Sequence, residues 1–286
     1  MSDVNGHCSG VFKEAWHKVK GMKHHFWGGV MLFTLIGLGG FSLLSLILVF
    51  GQMVYFPSLV HLMQVNPMIV MTLKYTALPL GLLVCFLLYH IGQTLLEVFL
   101  LLPMRMGVRL IALRRIADKS IHALYVFKYL KWHYIWRFAV LEVLVVLAIG
   151  IPAGIGLSLF CLPTTLHFAM GLKVLSYVVG VLFVAFALYL FVSYFFVSFA
   201  IIDRNISPWG AMELSRKAIS KRWFCIFGTL IALLVIIVIS AIPLFIGLFW
   251  TIPFSQNVIA ILYRNMIGIE GNDPVSLCQA ECKKSV

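Results

Sequence analysis

Carboxylates are scarce in this chain. Ten Asp and Glu occur among 286 residues, and charged side chains of both signs make up only 11%. A soluble surface normally has about a quarter of its residues charged, so a water-soluble globule is excluded. Strand-like alternation is missing too, because the apolar runs are continuous. Several exceed the roughly 20 residues that an α-helix needs to cross hydrocarbon. Lipid offers backbone amides no partners, so such runs must close their hydrogen bonds internally, as helices. Catalytic signatures are absent as well: the chain has no GxSxG, HExxH or P-loop pattern. The glycines from Gly37 to Gly40 lie inside an apolar run, where they cannot cradle a phosphate. No small-x-small site punctuates the first apolar run, which is therefore expected to be an uncleaved span. The expectation is one integral membrane domain with no enzymatic activity and no cofactor.

Cysteine is present but carries no framework. Cys85, Cys161 and Cys225 fall within or beside apolar runs, where a thiol behaves as a small apolar group. Cys8, Cys278 and Cys282 fall on the expected cytoplasmic side, where disulfides are not expected. His7, Cys8, Cys278 and Cys282 can be brought to one metal, but a Cys-x3-Cys spacing is not a strong zinc signature. No metal is expected.

What the chain has in excess is positive charge, and its placement is informative. Lys and Arg number four in residues 1–26, eight in 104–137, five in 203–222 and three in 264–286, out of 22. Only Lys74 and Lys173 lie elsewhere. Basic residues near span ends stay on the cytoplasmic side, so these four segments share a face and both termini are expected in the cytoplasm. This bias accounts for the net charge of +12, so nucleic acid is not an expected partner.

The expected spans are residues 27–55, 68–102, 138–162, 175–202, 223–247 and 250–267, followed by a polar tail over 269–286. The second is longer than one crossing and is expected to kink at Pro79. The sixth carries Ser255, Gln256, Asn257 and Arg264, so it crosses only if those side chains face protein or reach the cytoplasm. Residues 11–26 space Phe12, Ala15, Trp16, Val19, Met22 and Phe26 near 3.6 residues per turn, as an interfacial amphipathic helix does. Residues 125–136 carry Tyr125, Phe127, Tyr129, Trp132, Tyr134 and Trp136, an aromatic belt at headgroup level. Ser207-Pro208 reads as a helix N-cap followed by Pro at the first helical position.

A threefold pattern runs through these spans. Trp27, Gly51 and Pro57 are separated by 24 and 6 residues, Trp132, Gly156 and Pro163 by 24 and 7, and Trp223, Gly247 and Pro253 by 24 and 6. Ile151-Pro152 matches Ile242-Pro243, and Ile155-Gly156-Leu157 matches Ile246-Gly247-Leu248. A basic stretch precedes each Trp. The expected fold is all-α: a bundle of about six spans made of three tandem hairpins, each led by a basic amphipathic helix.

These features, with the closing Pro253-x8-Leu262-Tyr263-Arg264, give the chain a family likeness. It resembles the bacterial six-span inner-membrane proteins of the YciC type and is similar to the membrane domain attached to some glycerophosphodiester phosphodiesterases. The likeness is densest over 213–268. It implies a fold and a bacterial inner membrane, and it carries over no catalytic residue.

Two carboxylates, Glu97 and Glu142, lie inside apolar runs, where an uncompensated charge costs about 2.5–3.5 kcal/mol at mid-bilayer. Glu97 shares a helical face with His90 and Gln93, at i, i+3 and i+7. That stripe serves either as a proton or solute path or as interhelical hydrogen bonding with a salt bridge to a cytoplasmic Arg. Arg105, Arg109, Arg114, Arg115, Lys217 and Arg222 are the candidate contacts to anionic headgroups, each contributing about 1 kcal/mol beside an anionic surface. The expected partners are membrane lipids, and a membrane-protein partner or a second copy. The expected role is lipid or protein contact at the cytoplasmic face, with a small transporter or channel as the alternative.

Overall fold

The computed structural model describes residues 10–65, 78–165, 170–242 and 247–271. The expected tail beyond residue 271, the connections at 66–77, 166–169 and 243–246, and the group His7, Cys8, Cys278 and Cys282 lie outside the described residues. Those described form helices and turns without a strand. They are α1 (Val11–Val19), α2 (Lys23–Val65), α3 (Leu78–Leu96), a π turn (Glu97–Leu101), α4 (Leu102–Ile116), a 3-10 turn (Ala123–Phe127), α5 (Trp132–Thr165), α6 (Met170–Ser193), α7 (Val197–Arg204), α8 (Pro208–Ser220), α9 (Trp223–Ala241) and α10 (Leu248–Ile267).

Among the described residues, five helical stretches are long and apolar enough to cross a membrane: Lys23–Phe50, Val84–Ile116, Trp132–Cys161, Met170–Arg204 and Trp223–Ala241. Little of each is covered by protein, and Leu46, Phe50, Leu88, Val146, Leu182 and Val238 stand exposed along them. Exposed apolar surface on that scale is stable only against lipid, so the chain is an all-helical membrane protein.

Neighbouring spans pair antiparallel through small residues. A Cβ at Gly40 would lie 2.7 Å from Leu96, and one at Gly92 2.9 Å from Leu44, which packs α2 on α3. A Cβ at Gly156 would sit 3.0 Å from the Gly180 carbonyl, so α5 and α6 touch backbone to backbone. Such close approach is how helices gain packing energy in lipid, where no hydrophobic effect drives them together. Trp27, Trp132 and Trp223 each also lie on a ring from another helical segment. Trp27 stacks on Phe249 at 4.8 Å, Trp132 on Phe99 at 5.6 Å and Trp223 on Tyr189 at 6.1 Å. Two of the indoles donate to main chain there, Trp27 to the Phe249 carbonyl and Trp223 to that of Tyr189.

The protein's core sits at one end of the bundle, where α2, α5 and α9 begin and α4 and α7 finish. Several segments read from sequence as interfacial or cytoplasmic are buried in it. In α1, the turn after it and the start of α2, Ala15, Val19, Met22 and Phe26 are buried against protein, while Trp16 stays exposed with its ring edge-on to Phe254. The arginine-rich α4 buries Met104, Met106, Leu110, Ile111 and Leu113. Tyr129 of the aromatic belt is enclosed with Tyr134 and Phe138, whereas Trp132 and Trp136 are exposed.

Two further expectations shift, and a third lies at the edge of what is described. Pro79 stands at that edge, so the kink expected there is not tested among the described residues; an irregularity further along that segment falls at the π turn. The expected sixth crossing is not among the five apolar stretches. As α10 it is enclosed, with Val258, Ala260, Ile261, Leu262 and Tyr263 fully buried. Cys225, expected as an unpaired thiol, is disulfide-bonded. By contrast, the N-cap reading of Ser207 holds, since its hydroxyl accepts from the Gly210 amide at 3.3 Å.

Candidate polar cavity between two helix breaks

Two long helices are interrupted beside the core, each for a local reason. Pro103 has no N–H to give the Phe99 carbonyl. The preceding turn widens to a π turn, with the Leu102 amide bonding the Glu97 carbonyl. That turn takes in one residue more than an α turn. Eight residues then span about 1.9 turns instead of 2.2, which returns Arg105 to the face of Glu97. The two pair at 2.6 Å. The second break, at 194–196, separates α6 from α7. Its loosened backbone is held by buried Ser215 of α8, whose hydroxyl donates to the Ser193 carbonyl at 2.7 Å and accepts from the Phe196 amide at 3.3 Å.

Between the breaks lies a cavity of about 420 Å³. Its polar lining is Arg105 and Arg109 from α4, Glu142 from α5, Tyr194 from the second break, Ser198 from α7, and Gln256 from α10. The rest is apolar. Arg105 and Arg109 are one turn apart, a spacing at which like charges repel. Arg105 is paired with Glu97, yet its Nε is buried without a hydrogen bond among the described residues. Among the described residues Arg109 donates only to the Met106 sulfur, at 3.6 Å. Glu142 has no hydrogen-bond or ion-pair partner among the described residues. Charges held at an apolar face without counter-charges are costly unless water or a ligand satisfies them.

The residues singled out from sequence therefore separate. Arg105, Arg109 and Glu142 converge on the cavity, while His90 and Gln93 do not. His90 is exposed, with its ring against Phe86, and Gln93 donates to the Tyr89 hydroxyl at 2.5 Å. Arg114 and Arg115 serve the fold. Arg114 is buried, donates to the Ser120 carbonyl at 2.9 Å and lies over the Tyr125 ring. Arg115 donates to the Lys18 and Lys20 carbonyls at 3.1 and 2.5 Å, satisfying the C-terminal end of α1. Lys217 pairs with Glu213 on the exposed face of α8, and Arg222 lines a separate apolar hollow at the start of α9. Tyr194 and Ser198 escape sequence reading because they resemble any polar residues at a span end. Gln256 gives a signal, as an amide in an apolar run, but nothing in the sequence says what it faces.

A second polar node is structural. The fully buried Asp203 carboxylate accepts from the Tyr263 hydroxyl at 3.0 Å and from the Glu270 and Gly271 amides at 3.0 and 2.8 Å. Arg204 beside it pairs with Glu270 and caps the Ile267 carbonyl, each at 2.9 Å. Together they tie the end of α10 to α7. Among the described residues no cluster of His, Cys, Asp and Glu is arranged to hold a metal. Set against family models, curated proteins and solved structures, the chain matches none.

Proposed function

We propose that this chain is a non-enzymatic, multi-pass protein of the bacterial inner membrane that holds a phospholipid phosphate at Arg105 and Arg109. The observation that carries the reading is the convergence of two guanidinium groups, a carboxylate and an amide on one cavity in an otherwise apolar bundle. Its volume of about 420 Å³ lies within the roughly 300–1,000 Å³ of small-molecule sites. Guanidinium is also the side chain best matched to phosphate oxygens. The proposal narrows the broad basic platform expected from sequence, since Arg114 and Arg115 are committed to backbone carbonyls.

Cytoplasmic termini follow from the basic bias, with 20 of 22 Lys and Arg in four alternate segments. The inner membrane follows from the likeness to the YciC-type proteins. A three-hairpin architecture is supported by the tryptophan pattern. Trp132 and Trp223 each lie on a ring of the hairpin before, and Trp27 lies on a ring of the last. In that architecture α10 is the second helix of the third hairpin.

The test is lipid retention by the purified protein, read by native mass spectrometry. Wild type should keep phospholipid over diacylglycerol, which lacks phosphate. Arg109→Gln should lower that retention about tenfold, the loss expected for one charge-assisted hydrogen bond, while Lys217→Gln leaves it unchanged. Equal retention of phospholipid and diacylglycerol by wild type would sink the proposal.

A second reading, passage of a solute through the same cavity, is favoured by the two helix breaks, since transporters build sites at discontinuous helices. It predicts uptake into proteoliposomes that Glu142→Gln abolishes. The face of His90 and Gln93 has no part in it.

A further inference from the structure

Two opposite charges face the cavity without meeting each other. Among the described residues Glu142 has no hydrogen-bond or ion-pair partner and Arg109 hydrogen-bonds only the Met106 sulfur, the two charges acting on each other through space alone. Taking phosphate binding at Arg105 and Arg109 as read above, the carboxylate is the unexplained feature. A purely anionic headgroup is repelled by it. A headgroup bearing phosphate and ammonium satisfies both sides at once, phosphate on guanidinium and ammonium on carboxylate.

A second cavity supplies the rest of the ligand. It measures about 390 Å³, lies among α6, α9 and α10, and shares Phe191, Phe195, Gln256 and Ile259 with the polar one. The remainder of its wall is apolar apart from Ser255, with Phe227, Leu230 and Leu234 of α9 on one side. A charged compartment and an apolar compartment that share one wall of side chains match an amphiphile. A small polar solute has no use for the second.

We infer that the ligand is a primary-amine zwitterionic phospholipid of the phosphatidylethanolamine type, its headgroup between Arg109 and Glu142 and an acyl chain in the apolar cavity against α9. The ammonium donates to the Glu142 carboxylate, which a trimethylated amine lacks the N–H to do. Glu142 therefore selects among lipids, and the arginines hold the phosphate they have in common.

The experiment offers the purified protein equal amounts of phosphatidylethanolamine, phosphatidylcholine, phosphatidylglycerol and diacylglycerol of matched chains, and reads bound lipid by native mass spectrometry. Wild type should retain phosphatidylethanolamine about tenfold over the other two phospholipids, as one charge-assisted hydrogen bond allows. Glu142→Gln should level the three phospholipids while keeping them above diacylglycerol. Leu230→Trp, which fills the apolar cavity, should lower retention of long-chain lipid more than of a dihexanoyl analogue. Phosphatidylglycerol or phosphatidylcholine held as well as phosphatidylethanolamine by wild type would overturn the inference and leave phosphate binding standing. Diacylglycerol held equally would remove both. The wild-type competition decides the matter even if a variant fails to fold, and a preference that survives Glu142→Gln in a folded protein overturns the assignment to Glu142.

Discussion

The last two helices make an instructive pair. They follow one another in the chain and are nearly equal in length, α9 with 19 residues and α10 with 20. The first is the most apolar of the five spanning stretches by mean hydropathy, yet Phe224, Leu234, Val238 and Ile239 stand well exposed on it. The second carries Thr251, Ser255, Gln256, Asn257 and Arg264, yet α1, α4, α8 and α9 enclose it. In water the order would be reversed. In lipid the outer surface must be apolar, so a helix with polar groups lowers its free energy by burial in protein. Hydropathy here reports exposure to lipid, and polarity inside an apolar run reports the protein interior.

The sharpest way to test this contrast is a pair of glycine substitutions. A Cβ at Gly107 in α4 would lie 2.5 Å from the Val126 backbone, which cannot yield, whereas one at Gly228 in α9 meets nothing within 4 Å. Gly107→Val is expected to destabilise by about 3 kcal/mol. Gly228→Ala should be neutral or stabilise by a few tenths, through helix propensity. Thermal unfolding in detergent micelles measures both. Equal effects would mean that the packed end is no more constrained than the lipid-facing one.

Next in size is the Asp203 node. Asp203→Ala removes the acceptor for one hydroxyl and two amides, leaving the buried Tyr263 hydroxyl without its carboxylate. A loss of about 2–3 kcal/mol is expected, with faster hydrogen exchange over 263–271. Unchanged exchange there would show that α10 is held by packing alone.

The smallest effect concerns the strap of α1 over α10. Glu14 accepts both terminal nitrogens of Arg264 at 2.8 Å, and this hydrogen bonding holds its carboxyl below the usual range. A carboxylate depressed in the folded state stabilises fully above its unfolded pKa, near 4.3, and loses that contribution as pH falls through the lower folded value. The pair is about one-third exposed, so screening limits its worth to about 0.5–1 kcal/mol. Glu14→Gln should cost that amount at pH 7 and progressively less as the pH falls below about 4. A difference from wild type that persists undiminished at pH 3 would assign the effect to side-chain packing instead of charge.

Much of the architecture was legible before any coordinates. Helical class and membrane residence come from long uncharged runs, because only a helix satisfies its own backbone in lipid. The start of α8 was announced by Ser207-Pro208, since an N-cap depends on local geometry. The cavity was half legible. Glu142 and Gln256 stood out as polar groups in apolar runs, and Arg105 and Arg109 as part of a charge cluster.

Other features came only with the tertiary structure. The pairing of Glu97 with Arg105 depends on a π turn that follows from Pro103 but cannot be placed without the fold. Arg114 and Arg115, indistinguishable in sequence from Arg105 and Arg109, turn to backbone carbonyls because α1 and the turn at 119–120 end beside them. The apolar stripe of α1 suits lipid and protein equally well, and the presence of α10 decides for protein. Sequence by itself determined which segments leave water, since that depends on each residue's own transfer free energy. The tertiary structure alone decided which charges are spent on the fold and which remain facing a cavity, since that depends on what each helix meets when it packs.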